Sequence, residues 1–384
     1  METTATFRGL ACTVCGTTTA ADAARCPDCG GTLAGDYDAP ALAPEDLADR
    51  AAQAAAVLPF ETDTLVSLDE GGTPLVTVPP LAAELGVEAV YVKDEGRNTT
   101  GSLADRKLSV AVTGAVQSGA DAVAAPSTGN GAQAAAAYAA RADIDSKGYV
   151  PSRCPFLNKA MVNVHGGDMR VVEGRYDDAV EAFKEGAGDR YSVEPGHPFR
   201  VEGAKPVAVE TVADLDWTAP DAVIHPTGHG ESLVGLERGF AAAAASGLVD
   251  REPELYAVQP DGCAPVADAW IGDSETPAPV EHPDTIVGPL EVPDPAAGTA
   301  ALAAVESSGG GAAAVDDKAV LQGAVDGCEL GPEVGATGGT AVAGARELAD
   351  SGAFASDDVV VLVNPVAGSK EADLLRSHLM SQGI

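Results

Sequence analysis

The chain has 384 residues and carries 58 acidic against 23 basic side chains, which gives a formal charge of −35 at pH 7. So large a negative charge excludes general electrostatic binding to nucleic acid or to anionic membrane surfaces. No apolar run approaches the 18 residues of a membrane span, and the first residues lack the basic and apolar stretches of a signal peptide. We therefore expect a cytoplasmic protein of about two domains.

The acidic residues are spread along the whole chain, and only eight lysines accompany the fifteen arginines. At ordinary ionic strength this like charge opposes a compact state, whereas molar salt shortens the Debye length to about 3 Å. An ordinary protein with an acidic tail fits less well, because no single segment holds the charge. The composition indicates a halophilic protein from a cytosol of very high salt, as in haloarchaea.

Four cysteines in the first 30 residues form two C-x2-C pairs that are ten residues apart: Cys12, Cys15, Cys26 and Cys29. A glycine follows each pair and allows a tight turn, so that two thiolates can face one ion. The spacing predicts a closed structural zinc ribbon over residues 1–35. Iron is an alternative ion, and two disulfides conflict with the expected location.

Residues 36–60 are predicted to form a linker followed by a helix. Beyond them, short apolar runs alternate with longer helical patterns, which favours βαβ units around mostly parallel sheets and hence an α/β fold. Helices are predicted over 103–116 and 131–142. The predicted strands are 89–92, 121–125, 169–172, 222–225, 256–259 and 359–363.

Three loops rich in glycine and hydroxyl side chains each join a predicted strand to a predicted helix, at residues 93–102, 127–130 and 226–232. Backbone N–H groups at helix N-termini are free to hold an anion such as a carboxylate or phosphate. Taken singly, each loop is most simply an ordinary N-cap. Their succession is what points to a binding site.

In this order and behind a zinc ribbon, the loops resemble those of the threonine synthase-like family of fold-type-II pyridoxal-phosphate (PLP) enzymes. Residues 70–75, Glu-Gly-Gly-Thr-Pro-Leu, are similar to the family's E-G-x-T-P-L motif. Residues 93–102 resemble its K-x-E-x-x-N-P-T-G-S segment, and residues 127–130, Ser-Thr-Gly-Asn, match its loop for the substrate carboxylate. Residues 200–205 resemble its R-x-x-G-Q-K stretch.

The resemblance implies a two-domain, tryptophan synthase β-like fold with mostly parallel sheets. The larger PLP-type domain would comprise residues 61–95 together with 200–384, and the smaller α/β domain residues 96–199. The implied activity is that of a PLP-dependent lyase acting on a small amino-acid substrate such as O-phosphohomoserine, and the implied assembly is a homodimer.

The resemblance also assigns roles to residues. The implied cofactor-binding residues are Asn130, Gly228, His229, Gly230, Glu231, Ser232 and Ser369. The implied substrate-binding residues are Lys93, Ser102, Ser127, Thr128 and Gly129.

One departure from the family pattern bears on the chemistry. Where the family has Phe-Lys-Asp-Arg, this chain has Leu103, Ala104, Asp105 and Arg106, so the lysine that forms the Schiff base and shuttles protons is missing. Lys107 lies about one helical turn further along, and a solvated surface position is expected for it, with rescue of the lost amine as the weaker alternative.

Two other cofactor contacts differ. Glu231 brings a carboxylate to the phosphate loop, which costs Coulomb energy unless His229 or a cation offsets it. Either Pro365 or Ser369 could face the pyridine nitrogen, and only the second could donate a hydrogen bond to it.

The other five histidines, His225 among them, are isolated in sequence, and a structural or surface role is expected for them.

The sequence thus leaves three functions open. The first is a PLP-dependent lyase that needs another amine. The second is a divergent or inactive paralogue without Schiff-base catalysis, which binds an amino acid or anion or serves as a regulatory or binding protein. The third is a zinc-ribbon interaction protein with an inert body, and the retained hydroxyl and glycine loops speak against it.

Overall fold

The computed structural model describes residues 1–38 and 42–383. The strands are β1 (Phe7–Cys12), β2 (Thr18–Thr19), β3 (Leu33–Tyr37), β4 (Leu75–Thr77), β5 (Ala89–Asp94), β6 (Ala122–Pro126), β7 (Asp145–Pro151), β8 (Asp168–Val172), β9 (Tyr191–Ser192), β10 (Ala222–Pro226), β11 (Glu254–Pro260), β12 (Gly311–Val315) and β13 (Val359–Asn364).

Helices lie between most of these strands. They are α1 (Arg50–Ala55), α2 (Pro79–Leu85), α3 (Ala104–Gln117), α4 (Asn130–Arg141), α5 (Phe156–Val164), α6 (Tyr176–Gly186), α7 (Pro198–Ala204), α8 (Pro206–Asp214), α9 (Glu231–Ala245), α10 (Pro265–Ile271), α11 (Gly298–Ser308), α12 (Asp317–Leu330), α13 (Ala336–Asp350) and α14 (Ala372–Ser381).

The first 38 residues form a small antiparallel sheet in the order β2-β1-β3. In the predicted linker, residues 39–41 lie outside the described part of the chain. The helix predicted there is α1, which begins where the side chain of Asp49 accepts a hydrogen bond from the backbone N–H of Ala52. Such a cap satisfies one of the free N–H groups of the first turn.

The largest sheet has six strands in the order β12-β11-β10-β13-β5-β4, and all neighbours are parallel except β4 and β5. A second, entirely parallel sheet has the order β8-β7-β6-β9. The central strand β13, Val-Val-Val-Leu-Val-Asn, is buried along nearly its whole length, which is typical of a parallel sheet covered on both faces. The predicted α/β fold with mostly parallel sheets is confirmed.

The two sheets also bear on the predicted domains. The four-stranded sheet is formed from residues 122–192, and the six-stranded sheet takes strands from both sides of that segment. This arrangement agrees with an insertion of one unit into another, while the boundaries given for the domains stay a prediction.

Three strand-to-helix junctions meet where the sheets approach each other. Strand β5 leads to α3, β6 leads to α4, and β10 leads to α9. In open parallel sheets, ligands bind beyond the carboxyl ends of the strands.

Within the described part of the chain, no helix is both long enough and apolar enough to cross a membrane.

Candidate active site

A cavity of about 120 Å³ lies where the three predicted loops meet. It is smaller than the roughly 300–1,000 Å³ of ordinary pockets for drug-sized ligands. Most of the residues that the sequence analysis singled out line it. They are Ser102, Ala104, Lys107, Ser127, Thr128, Asn130, Gly228, His229, Gly230, Glu231 and Ser232.

The loop between β6 and α4 is held by its own serine. The Oγ of Ser127 accepts hydrogen bonds from the backbone N–H groups of Gly129 and Ala132, both at 3.0 Å. Gly129 itself does not line the cavity; a Cβ on it would lie 3.0 Å from the Nδ2 of Asn158. That amide donates to the Oδ1 of Asn130 at 2.8 Å. The loop therefore presents its polar groups in a fixed arrangement.

Ala104 is the first residue of α3 and is buried at the cavity wall. The turn before it is fixed by Asp105, whose carboxylate accepts from the N–H and the hydroxyl of Thr100 at 2.9 and 2.8 Å. The Nζ of Lys370 donates to the carbonyl of Thr100 at 2.8 Å from behind the turn. Burial raises the pKa of Asp105 to about 6 against the opposing effect of these hydrogen bonds.

Lys93 does not reach the cavity, which corrects its assignment to the substrate. It is fully buried near the end of β5, where its Nζ donates to the carbonyl of Thr73 at 2.8 Å and pairs with Glu210 at 3.0 Å. Glu210 in turn binds the guanidinium of Arg106 through two hydrogen bonds of 2.7 Å. Lys93 thus belongs to a buried ion network under α3.

Glu231 stands at the cavity wall with two cations and is buried. Its carboxylate pairs with Arg200 at 2.7 Å and with Lys107 at 2.8 Å, and it accepts from the backbone N–H of Gly196 at 2.7 Å. Burial alone would raise the pKa of Glu231, but the charges of Arg200 and Lys107 outweigh it and hold the pKa below its usual range. We call Lys107, Arg200 and Glu231 the ion triad.

The expectation of a solvated Lys107 is wrong. Only 13% of its side chain is exposed, and its Nζ donates to the Oγ of Ser232 at 3.0 Å in addition to its pairing with Glu231. Helix α7 covers this part of α3 so closely that a Cβ on Gly203 would lie 2.7 Å from the Cα of Lys107. Burial lowers the pKa of Lys107, although Glu231 acts in the opposite direction.

His229 does not neutralise Glu231, because burial lowers the pKa of this imidazole to about 3 and leaves it uncharged at neutral pH. Its ring lies edge-to-face on Tyr176, with the centroids 5.1 Å apart. Its carbonyl accepts from the N–H of Ala297 at 2.9 Å. The sequence suggested that either His229 or a cation compensates the charge of Glu231, and in the structure the two cations do so.

Near the end of β13, Pro365 lines the cavity and Ser369 does not. Ser369 is exposed to solvent, so its assignment to the cofactor is corrected. The carbonyl of Pro365 accepts from the N–H of Leu103 at 2.9 Å, which joins the end of β13 to the loop before α3. Proline offers no hydrogen-bond donor at this wall.

His225 is a cavity residue that sequence reasoning missed. Its Nδ1 lies 3.2 Å from the Oγ of Thr227, whose hydroxyl donates to the carbonyl of His225. Because the Thr227 hydroxyl gives its proton to that carbonyl, we assign the ring proton to Nδ1, which leaves Nε2 as an acceptor. Nε2 and the Oγ of Ser102 have no hydrogen-bond partner among the described residues. Its place at the carboxyl end of a buried strand is the signal that could have found His225.

The four N-terminal cysteines come together as predicted. All four sulfurs lie within 4.8 Å of one another, and neighbouring sulfurs are 3.5 to 3.6 Å apart. A tetrahedral ion with Zn–S bonds of about 2.3 Å requires sulfurs roughly 3.8 Å apart. The cluster therefore fits a single four-coordinate ion such as zinc.

Comparison with protein families and curated proteins gives consistent matches. The family profile described as "Pyridoxal-phosphate dependent enzyme" matches residues 66–365. The threonine synthase of Methanocaldococcus jannaschii is 35% identical over 269 residues, which cover 69% of this chain and 66% of that protein. The threonine synthase of Mycobacterium leprae is 36% identical over 269 residues, or 69% of this chain and 72% of that one. The match thus spans about two thirds of these relatives.

Solved structures agree at lower sequence identity. Threonine deaminase isoform 2 from Solanum lycopersicum superposes with a TM-score of 0.69 at 19% identity, covering 90% of this chain and 91% of that one. Diaminopropionate ammonia lyase from Escherichia coli has a TM-score of 0.71 at 15% identity and coverages of 90% and 95%. At such identities the likeness concerns the fold alone.

Proposed function

This chain belongs to the pyridoxal-phosphate dependent enzyme family as a threonine synthase-like member of fold type II, and we propose that it binds a small acid in the family cavity without covalent attachment of the cofactor. The observation that carries the proposal is Ala104, which stands at the cavity wall where the family pattern has its lysine. A methyl group can neither form the link nor move the protons that the lysine would move.

The residues of the cavity do not fit covalently held PLP. Lys107 is the one lysine that lines it among the described residues, and its amine is engaged by Glu231 and Ser232. The loop expected to hold the phosphate already carries the Glu231 carboxylate. Arg200 and Lys107 compensate that carboxylate, so the case against covalent PLP rests on the missing amine at residue 104 and not on repulsion of the phosphate.

The same groups suit a small anion. The ion triad holds two positive charges and one negative charge, which leaves one positive charge to be matched by a ligand. The N-terminus of α9 adds to the favourable potential for an anion. The Asn130 amide and the orphaned polar atoms of Ser102 and His225 offer hydrogen bonds to a polar ligand. A charge-assisted hydrogen bond contributes about 1.5–3 kcal/mol.

A second candidate is a PLP-dependent lyase acting on an amino acid such as O-phosphohomoserine, with Lys107 as the substitute amine. One observation favours it: the Nζ of Lys107 lies at the cavity and burial lowers its pKa. A lower pKa leaves more of the amine uncharged and nucleophilic. Under this candidate Lys107 would have to leave Glu231.

We also propose that the cysteine cluster holds structural zinc, that the protein works at molar salt in the cytoplasm, and that it forms a homodimer. The sulfur geometry supports the first proposal and the spread of acidic residues supports the second. The resemblance to the family supports the third.

The test uses the full chain in molar KCl. The protein is incubated with PLP, reduced with borohydride and digested, and the peptides are searched for a labelled lysine. We expect no label within the cavity and loss of PLP on gel filtration, whereas Ala104→Lys gains a label at residue 104. A label on Lys107 of the wild-type chain, absent from Lys107→Arg, would instead support the lyase.

A titration measures the binding itself. Heats are recorded for L-serine, acetate and inorganic phosphate with the wild-type chain and with Lys107→Met. We expect at least one of the three to bind, and its affinity to fall about tenfold in the variant, because the excess positive charge is lost. If none of the three binds, the proposal fails.

A further inference from the structure

We infer that Arg25 of the zinc ribbon is a positioning residue that braces the ion triad and makes the shape of the cavity depend on the ion held by the four cysteines. This inference does not rest on which ligand the cavity takes. It rests on two paths from the same guanidinium to Glu231. One ends in a hydrogen bond to the Glu231 carboxylate, and the other ends in a hydrogen bond to the backbone that leads into Glu231.

Arg25 directly precedes the buried Cys26 in the ribbon. Its Nη1 donates to the carbonyl of Ala296 at 2.8 Å, and its Nη2 donates to the carbonyl of Pro195 at 3.2 Å. Those two carbonyls belong to separate segments of the chain, and Pro195 lines the cavity. The planar fork of an arginine can bridge two acceptors in fixed positions, whereas a lysine acts as a point charge.

The first chain of bonds runs through Gly196. Its N–H donates to the Oε2 of Glu231 at 2.7 Å, so the residue after Pro195 holds the triad directly. Gly196 has a φ of 81°, and a Cβ on it would lie 2.8 Å from the Cζ of Arg25. The guanidinium is thus pressed against the backbone that positions the carboxylate.

The second chain runs through the other carbonyl. Ala297, which follows Ala296, donates its N–H to the carbonyl of His229 at 2.9 Å. A Cβ on Gly230 would lie 2.8 Å from the carbonyl oxygen of Ala297, so the two segments are in close contact. His229 and Gly230 lead directly into Glu231, and both paths therefore converge on this one residue.

The ribbon has a second anchor that does not involve Arg25. The N–H of Gly35 and the hydroxyl of Tyr37 donate to Glu202 at 2.7 and 2.5 Å. Glu202 lies on α7, the helix that carries Arg200. A variant that lacks the Arg25 side chain therefore keeps the ribbon attached, and its effect can be separated from undocking.

The position of Arg25 depends on the bound ion, because the turn that follows Arg25 carries two of the cysteines that hold the ion. The N–H of Cys26 donates to the carbonyl of Gly31 at 3.0 Å, and the N–H of Gly30 donates to the carbonyl of Cys26 at 2.9 Å. So small a unit has little core of its own and depends on its metal for order. Loss of the ion should therefore release Arg25 from both carbonyls.

Hydrogen exchange of the full chain tests the inference. Exchange is followed by mass spectrometry in peptides that contain Gly196 and Ala297, with zinc bound and after chelation. We expect Arg25→Ala to exchange at least about tenfold faster at both sites while it keeps its zinc. Chelation should have the same effect on the wild-type chain and add little in Arg25→Ala, because the two perturbations act through one side chain.

Arg8→Ala is the matched control, because Arg8 is an exposed arginine of the same ribbon and pairs only with Asp38 among the described residues. It should exchange like the wild type. Equal exchange in Arg25→Ala and the wild type would overturn the inference, as would a chelation effect of full size in Arg25→Ala. If Arg25→Ala loses zinc, Arg25→Lys at full zinc content decides: faster exchange supports the bridge, and unchanged exchange at both sites overturns it.

Discussion

At the scale of single residues, the ion triad decides how much charge the cavity presents. Its two cations are held by one carboxylate on which both depend. A buried ion pair adds little stability over an apolar replacement, but removal of one partner leaves a charge without compensation. The wall of the cavity is therefore sensitive to Glu231 in a way that a surface acid would not be.

We predict that Glu231→Gln lowers the free energy of unfolding by about 3 kcal/mol, the cost of leaving buried cations without their partner. The same change should strengthen binding of inorganic phosphate about tenfold, since the cavity gains one positive charge. Denaturant unfolding and calorimetric titration at one fixed KCl concentration measure the two effects. Glu237→Gln on the same helix is the control and should change neither the free energy of unfolding nor the affinity for phosphate. If Glu231→Gln also left both quantities unchanged, the role given to the ion triad would be contradicted.

A second prediction concerns pH. The pKa of Asp105 is about 6 in the folded chain, above the 3.8 of an unperturbed carboxyl, so the folded state binds the extra proton between these values. The contribution of Asp105 to the free energy of unfolding is therefore fully present below pH 4. It decreases by about 3 kcal/mol as the pH rises to 6.

The measurement compares the unfolding free energies of the wild type and Asp105→Asn from pH 4 to pH 7. Their difference should shrink with rising pH, because only the wild type loses a proton from this site. A difference that is constant with pH would show that Asp105 titrates normally.

The sequence could predict which residues meet at the cavity, because helix N-termini, hydroxyls and glycines occur together in the order of the strands. It could not predict the partners of the charged residues. Lys107 looks like a surface lysine because nothing in α3 reveals that α7 lies over it. Lys93 looks like a ligand-binding residue because its partner Glu210 is more than 100 residues away in the chain. Such pairings exist only in three dimensions.

At the scale of elements, the contact between α3 and α7 fixes the distance between Lys107 and Arg200. Gly203 allows this contact because the backbone of Arg106 and Lys107 occupies the space that a side chain would need. Gly114 does the same further along α3, where the ring of Phe199 lies over it. The two glycines let α7 lie directly on α3.

We predict that Gly203→Ala destabilises the fold by about 2–3 kcal/mol, since an added methyl would meet backbone that cannot move away. The displaced α7 should also weaken the pairing of Arg200 with Glu231. Gly288→Ala is the control, because a Cβ there meets nothing within 4 Å. Equal unfolding midpoints for the two variants would show that the helices can separate at no cost.

The pattern of apolar runs predicted six of the thirteen described strands, namely β5, β6, β8, β10, β11 and β13. Strands β7 and β12 show why it missed others. Strand β7 has the sequence Asp-Ser-Lys-Gly-Tyr-Val-Pro, whose polar first half resembles a loop. Strand β12, Gly-Ala-Ala-Ala-Val, has the composition of a helix. Both are strands because neighbouring strands supply their hydrogen bonds, and this tertiary effect overrides local propensity.

At the scale of the whole molecule, the charge of −35 acts on every folded copy. In the described part of the chain, several Asp and Glu residues at the surface pair with basic residues, yet the excess of acidic groups remains large. Screening by salt weakens repulsion between charges farther apart than the Debye length, which falls from about 10 Å at 0.1 M to about 3 Å at 1 M. Stability should therefore depend on salt.

We predict that the melting temperature rises by about 4 °C between 0.15 and 2 M KCl, because repulsion of a few kcal/mol is removed and each kcal/mol corresponds to about 1 °C in a chain of this length. Scanning calorimetry with zinc bound measures this shift. Reversal of eight exposed acids to lysine should flatten the dependence. A melting temperature that is independent of KCl would contradict the proposed adaptation to salt.

The place of β13 has a consequence for how the chain matures. This strand lies between β10 and β5 in the six-stranded sheet, although it follows every other described strand in the chain. Until residue 364 has left the ribosome, β4–β5 and β10–β12 remain two separate pieces, each with an open edge. Open edges and exposed apolar faces favour aggregation of unfinished chains. A nascent chain of this protein should therefore need a chaperone until β13 has emerged, and a truncation before β13 should be insoluble rather than merely less stable.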